Sequence, residues 1–524
     1  MLTTEIVAIL SGVLAHQVVF IQGEWHLRGA SVIMTHIALT TCLYAVRDRP
    51  GVLIFLYLSS LFLSISIYRL FFHRLRHFPG PKLAALTKLW HVWKCRDSRG
   101  HLVVDEWHKT YGTFVRTGPS EITVFHPAIY EAMDGTGNQN TRSDWYDLLH
   151  PRISSIFTRD RVFHLKRRQI WNHALSSAAL RQYHRRIHTK VSTLTALVEK
   201  QDTHPVLINN IMYWFAFDSM GDFAFSEDFG MLRNQEWHRV IYLFRSALAL
   251  LGPFSPAIWI PRLGFSIMPG MWRLRRWFEM LEFCDACMER RMKRTLDDRD
   301  IASWFIQDHE SHSDDGSRKH WLSGDTATLV VAGSDTTAPA LTHLLYFLAR
   351  YPSHAEQIYL ELVTVDSHDP VALSKLPHLN GVINETMRLL PAILTFGTRD
   401  TPPEGLWVEG TYIPGCVKIC APRFTVGRLD SAYVQPHDFI PERWYSQPQL
   451  IKDRRAFAPF GLGNTSCVGK NLALAQIRLV TAALVSRYKM QFAPGTEEGV
   501  SVEKNMRDQL TAQPGECWIV FERR

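Results

Sequence analysis

Three apolar stretches open the chain, Ile6–Ile21, Ala30–Val46 and Gly51–Tyr68, parted by short charged breaks. The third runs 18 residues without a charge and leads into Phe71 and Phe72, long enough to cross a bilayer. The first two are shorter and carry His16, Gln17 and His36, so spanning, lying in the interface and packing together all stay open for them. The first lacks a basic start and two more apolar stretches follow it, which argues against a cleaved signal peptide. Arg69, Arg74, Arg76 and Lys82 follow the third stretch and place what comes next on the cytosolic side. Arg47 and Arg49 in the second break fit less well if all three stretches cross. Residues 1–76 are therefore expected to form a membrane anchor of one to three helices. Phe78-Pro79-Gly80-Pro81 then makes a stiff turn, because proline fixes φ and pushes the preceding residue out of the helical region.

Beyond that turn the apolar spacing is mostly helical. Lys470 opens a helix with Leu472, Leu479, Val480, Ala483 and Leu484 as a candidate buried face. Between Pro377 and Pro391, Leu379, Val382, Ile383, Thr386 and Leu390 make another stripe, with Glu385 and Arg388 sharing the opposite face. Leu322–Arg350 reads as one long helix with a flaw in the middle. Gly333 lowers its stability, and Pro339 removes the hydrogen bond to the carbonyl of residue 335. Tyr213–Phe225 is an aromatic helical stripe of the kind usually found in a core. The polar stretch His309–His320 reads as a surface loop. No repeat or long flexible linker divides residues 77–524, which are expected to form one domain.

A formal net charge of +8 favours acidic partners. The Lys and Arg are dispersed and no run resembles a nucleic-acid arm, so a membrane or an acidic protein fits better than nucleic acid. Eight cysteines without paired spacing do not suggest a disulfide framework. Cys284 and Cys287 form a lone CxxC with no second pair, which reads as structural.

The chemistry concentrates at Phe460–Gly469, FGLGNTSCVG. Cys467 stands at the entrance of a helix, where the N-terminal amides shift a thiol toward thiolate. Gly461, Gly463 and Gly469 let the backbone approach a flat ligand. Upstream, the helix flaw brackets Asp335 and Thr336, and a locally opened helix there offers free carbonyls and room for water. An acid and a hydroxyl at such a place suit proton delivery.

Together these segments resemble the cytochrome P450 superfamily. FGLGNTSCVG is similar to its haem-binding signature, Val331–Thr337 (VAGSDTT) to its oxygen-activation segment, Glu385-Thr386-Met387-Arg388 to its ExxR motif, and Pro441-Glu442-Arg443-Trp444 to its PERF motif, in the family's order. The resemblance covers roughly residues 78–524. It implies a mainly α fold with small β-sheets, a haem-thiolate monooxygenase domain at 77–524 behind the anchor. Heme b would be ligated through its iron by Cys467 and bound by Phe460, Gly463 and Gly469. Asp335 and Thr336 would be catalytic, and Glu385, Arg388 and Arg443 would form a buried support. Thr465 departs from the signature, which often has a basic residue there. His164 and Arg168, in place of the family's WxxxR, and Arg399 would hold the propionates instead. Lys166, Arg167 and Lys470 would form a basic docking face for an acidic electron donor.

The same resemblance implies electrons from NADPH through NADPH–cytochrome P450 reductase, with cytochrome b5 as a further donor, and an endoplasmic reticulum membrane with the catalytic domain toward the cytosol. Trp237–Met271, broken by Gly252, Pro253, Pro256, Pro261 and Gly264, would roof a channel for lipophilic small molecules. The N-terminal GVLAHQVVFIQGEWHLRGA and the helix beginning at Arg167 look like those of fungal members that decorate secondary metabolites. Two other functions are open to a haem-thiolate protein. A haem-thiolate isomerase or dehydratase would dispense with the Asp335–Thr336 pair. A non-enzymatic haem sensor would carry an output module, and no segment here looks like one.

Overall fold

The computed structural model describes residues 2–46, 49–296, 298–311, 317–395 and 397–524. Its apolar start folds as three helices: Leu2–Leu14 prolonged to Phe20, Gly29–Val46, and Pro50–Ile67 prolonged to Phe72. Pro50 sits at the start of the third, where its missing N–H costs nothing. Each is long and apolar enough to cross a membrane. Arg47 and the centre of the His309–His320 stretch lie outside the described residues; Ser317–His320 already belong to the following helix.

The rest is mostly helical with small sheets. One sheet has five strands in the order 114–118, 121–124, 418–420, 398–400 and 141–142. Its 121–124 and 418–420 strands are parallel and the other neighbours antiparallel. Leu75, Val115, Ile122, Ile413 and Ile419 pack a core against it. A larger core runs through the helices, with Ile208–Phe225 at its centre. The aromatic stripe is therefore core, apart from the polar tip of Tyr213. The 470–485 helix buries Leu479, Val480 and Leu484, while Leu472 and Ala483 are only half-buried. Cys284 and Cys287 are fully buried, and burial pushes the Cys287 thiol up to about 12.

The flawed helix is broken outright. One helix ends at Ser334 and the next begins at Thr337. Besides Pro339, the hydroxyls of Ser334 and Thr336 donate to the carbonyls of Val330 and Ala332, at 2.6 and 2.9 Å. Such back-bonding bends helices.

The carboxylate of Glu385 is fully buried. Arg388 donates to it through Nε at 2.9 Å and Nη2 at 2.7 Å, Arg443 through Nε at 2.9 Å, and Ile440 N and Trp444 Nε1 at 3.0 and 2.9 Å. The two guanidiniums spend their other N–H groups on backbone carbonyls. Arg388 takes Gly427, Pro436 and Asp438; Arg443 takes Val434, Gln435 and Leu450. A loop with few ladder bonds of its own is thus stitched from within. One carboxylate faces two guanidiniums, and the positive charge left over is solvated by these carbonyls, so the buried ions are hydrogen-bonded throughout, the condition for tolerating them.

Removing Glu385 strands two buried guanidiniums, and removing Arg388 leaves carboxylate and carbonyl oxygens without donors, at about 3–5 kcal/mol. Glu385→Ala and Arg388→Ala should each accumulate little folded protein; wild-type yields from both would show that the 427–450 loop holds without them. The boundary of the anchor is tested by two truncations. Leu75 is fully buried with the sheet core, and losing such a leucine costs about 2–5 kcal/mol. A chain starting at His77 should fold but melt below one starting at His73. Equal midpoints in detergent would mean that Leu75 adds nothing to the folded domain.

Candidate active site

Cys467 sits in a tight turn between Gly463–Thr465 and the helix that starts at Lys470. Its N–H donates to the carbonyl of Phe460 at 2.7 Å, closing the loop on itself. Gly461 and Gly463 have φ of +69° and +57°, the left-handed region that glycine fills without strain. At Gly463 a Cβ would also lie 2.2 Å from the carbonyl oxygen of Asp134. The turn is therefore pinned against 134 by the missing side chain.

The Cys467 thiol is densely surrounded yet accessible, the mark of a side chain on the floor of a recess. Burial raises its pKa; the amides of Gly469 and Lys470 and the charge of Arg168 pull the other way. The expected shift toward thiolate is thus overturned for the bare protein, because desolvation outweighs the helix amides. The amides still favour an anionic sulfur, and a bound metal would deprotonate it outright.

Two further observations fit a flat metal-bearing cofactor. Ala332 is exposed and Thr336 partly so, in a helix pair whose residues 324–330 and 341–349 are buried. The break is therefore accessible between two buried helical stretches. Basic residues also converge on the turn before Cys467. His164 Nε2 lies 3.2 Å from Asn464 O, and Arg168 Nη1 donates to Ser466 O at 2.5 Å. Asp160 caps the start of their helix, and their spacing of four puts both on one face. Arg399 reaches Thr465 Oγ1 at 3.3 Å and pairs with both oxygens of Asp134, at 2.8 and 3.0 Å. Thr465 itself donates to Asp134 at 3.0 Å. Arg399 therefore stands beside the position where Thr465 replaces a basic residue. A separate small recess, lined by Lys88, His91, Glu121, Thr398 and Asp508, includes neither Cys467 nor Thr336.

The basic docking face needs correction. Lys166 and Lys470 are exposed, but Arg167 is buried and paired with Asp308 and the fully buried Asp325. Trp171 Nε1 completes that carboxylate at 2.9 Å. His164, Arg167 and Trp171 follow helical spacing on one inward face, and a guanidinium drawn inside must find a carboxylate.

Asp335 is buried and faces residues that no local pattern announced. Thr511 Oγ1 donates to it, with Tyr213 Oη at 3.3 Å and Gln513 Nε2 at 3.4 Å. Burial pushes its carboxyl up to about 6, against the pull of these donors. Near neutrality it can hold or release a proton. The partners lie 122 to 178 residues away in sequence, so only the fold reveals them. Asp134 and Tyr146, whose hydroxyl accepts from Arg399 at 2.6 Å, were hidden for the same reason.

Comparison with known proteins agrees with this geometry. The cytochrome P450 family matches residues 79–517. The chain is 34% identical to cytochrome P450 monooxygenase notG' of Aspergillus versicolor, over 98% of its own length and 97% of the relative's. It is also 34% identical to tryprostatin B 6-hydroxylase of Aspergillus fumigatus, over 94% and 91%. Among solved structures it shares the fold of the cytochrome P450DA heme domain, with TM-score 0.67 at 16% identity, over 82% of this chain and 94% of that one. A recessed cysteine at a glycine turn, a broken helix with an acid and a hydroxyl, and a buried Glu–Arg–Arg brace thus sit in the frame these relatives share, and the chain belongs to the cytochrome P450 family of monooxygenases.

Proposed function

We propose that the enzyme inserts one oxygen atom from O₂ into an apolar small organic substrate, as a tailoring step of fungal secondary metabolism. Electrons would come from NADPH through NADPH–cytochrome P450 reductase, with cytochrome b5 as a further donor. The catalytic domain would face the cytosol at the endoplasmic reticulum membrane. The observation that carries the reading is the pairing of a recessed Cys467 with the helix break at Asp335–Thr336. A relative named as a 6-hydroxylase of tryprostatin B supports hydroxylation of a fungal metabolite.

Cys467 would hold the iron of heme b, with Phe460, Gly463 and Gly469 forming the turn around it and His164, Arg168 and Arg399 holding the propionates. Thiolate-ligated haem supplies the O₂ activation, since the sulfur pushes electron density that favours O–O cleavage. The protein's own share is proton supply. The Thr336 hydroxyl, turned back to Ala332 O, is placed to exchange that bond for a water in the opened helix. Asp335, held near pH 6 by burial, is a proton reserve one residue away. An isomerase or dehydratase on the same cofactor would have no use for this pair.

Two substitutions test the assignment. Cys467→Ser should abolish the strongly red-shifted Soret band of the reduced CO complex; a wild-type spectrum would mean that another residue ligates the iron. Thr336→Ala should keep haem and substrate binding and still consume NADPH with its reductase. Product per NADPH should fall, and hydrogen peroxide should rise to match. Measuring all three in one reaction decides it: unchanged product per NADPH would remove Thr336 from the proton path.

A further inference from the structure

The register of the three N-terminal helices carries an inference about how this enzyme sits in its membrane. The first and third helices run parallel. A Cβ on Gly12 would lie 2.1 Å from Ser60 Oγ and 2.4 Å from the carbonyl of Tyr57, so the backbones nearly touch. One turn on, His16 Nδ1 meets Ser64 Oγ at 2.8 Å, and its ring meets Tyr68 at 5.6 Å. Both partners rise in number together. The second helix runs the other way. His36 Nε2 meets Tyr57 Oη at 3.1 Å, while Tyr44 Oη lies 3.8 Å from where a Cβ on Gly51 would be. Close glycine contacts and interhelical polar bonds are how helices associate in lipid.

Both ends that this order brings together abut the catalytic domain. From the turn between the first two helices, His26 Nε2 meets Asp147 Oδ2 at 2.8 Å. Glu24 takes a two-pronged bond from Arg159, one prong at 2.8 Å, and Arg159 also reaches Asp400 at 3.3 Å. Leu263, on the Trp259–Ile267 helix, lies 3.5 Å from where a Cβ on Gly29 would be. At the end of the third helix, Arg69 donates to Leu86 O and Arg74 to Gly415 O, both at 2.5 Å.

We propose that all three helices cross the bilayer. Residues 21–28 then lie on the catalytic side and clasp the domain, and the junction before Pro50 lies on the opposite side. The occupant of the remaining helix faces is lipid acyl chain. The second helix buries no residue and exposes Met34, Leu39 and Val46; the third exposes Phe55, Phe62 and Leu63. Eighteen residues rise about 27 Å, close to the hydrocarbon thickness of about 30 Å. Charge agrees on balance. Arg28, Arg69, Arg74, Arg76 and Lys82 fall on the catalytic side, against Arg47 and Arg49 opposite.

The test rests on the endoplasmic reticulum placement proposed above and keeps the two apart. Full-length chains each carry one flexible N-glycosylation insert: before Met1, after Gly23, or after Arg49. The first and last should be glycosylated in microsomes and lose the sugar to endoglycosidase; the insert after Gly23 should not. Carbonate extraction of the untagged chain reports integration separately. A chain that is extracted overturns the membrane placement and the topology together. A chain that stays integral but shows any other glycosylation pattern overturns only the topology. His26→Cys with Asp147→Cys, or Glu24→Cys with Arg159→Cys, should be joined by a short bis-maleimide in intact microsomes, unlike any single variant. Failure of both pairs would overturn the clasp.

Discussion

The buried carboxylate of Glu385 is the constraint on which the rest of the site depends. An unpaired carboxylate cannot stay charged in an apolar interior. Here five N–H groups converge on it, three of them from two guanidiniums that reach on to six carbonyls of the 427–450 loop. That loop leads directly to Phe460 and the cysteine turn. Its order comes from ions locked inside it, since it forms almost no strand or helix ladder. The arrangement is stiff because no member can leave without stranding the others.

The second constraint is the broken helix. Continuous helices pair their interior carbonyls; here Pro339 has no N–H for the carbonyl of Asp335, while Asp335 N still bonds Val331 O and Ala340 N the carbonyl of Thr336, and two packed halves stand on either side. The cost is a local loss of backbone bonds, offset by the burial of residues 337–349. The break therefore places a titratable acid and a hydroxyl at a fixed depth without making the surroundings mobile. Tyr213, Thr511 and Gln513 add donors to the acid, and desolvation still wins.

What was legible in the sequence follows a physical rule: features encoded by neighbours could be read, and features encoded by folding could not. Apolar runs announced the three N-terminal helices, and Gly333 with Pro339 announced the break. The glycine turn around Cys467 was visible because Gly461 and Gly463 answer a local need, a left-handed backbone; Gly469, at φ −82°, has no such need. Glu385 and Arg388 shared a face by spacing alone, but their burial and their partnership with Arg443 came only from family resemblance. Arg167 misled, because a run of basic residues looks like a solvated face until helical rotation carries one of them inward to Asp325. The partners of Asp335 and Arg399 lie too far along the chain for any window to pair them. The thiol of Cys467 was misjudged for another reason: helix amides are a sequence-level cue, whereas desolvation belongs to the assembled recess.

The contacts of Glu24 and His26 with Arg159 and Asp147 give the catalytic domain a second attachment to its own N-terminus, apart from the covalent one at Phe72. A body hung from one strand swivels; a body held at two points has an axis. In the membrane placement proposed above, the approach of any partner confined to the same sheet of lipid becomes a search over position with heading largely settled. The gain would show in encounter frequency rather than in the strength of the contact once made.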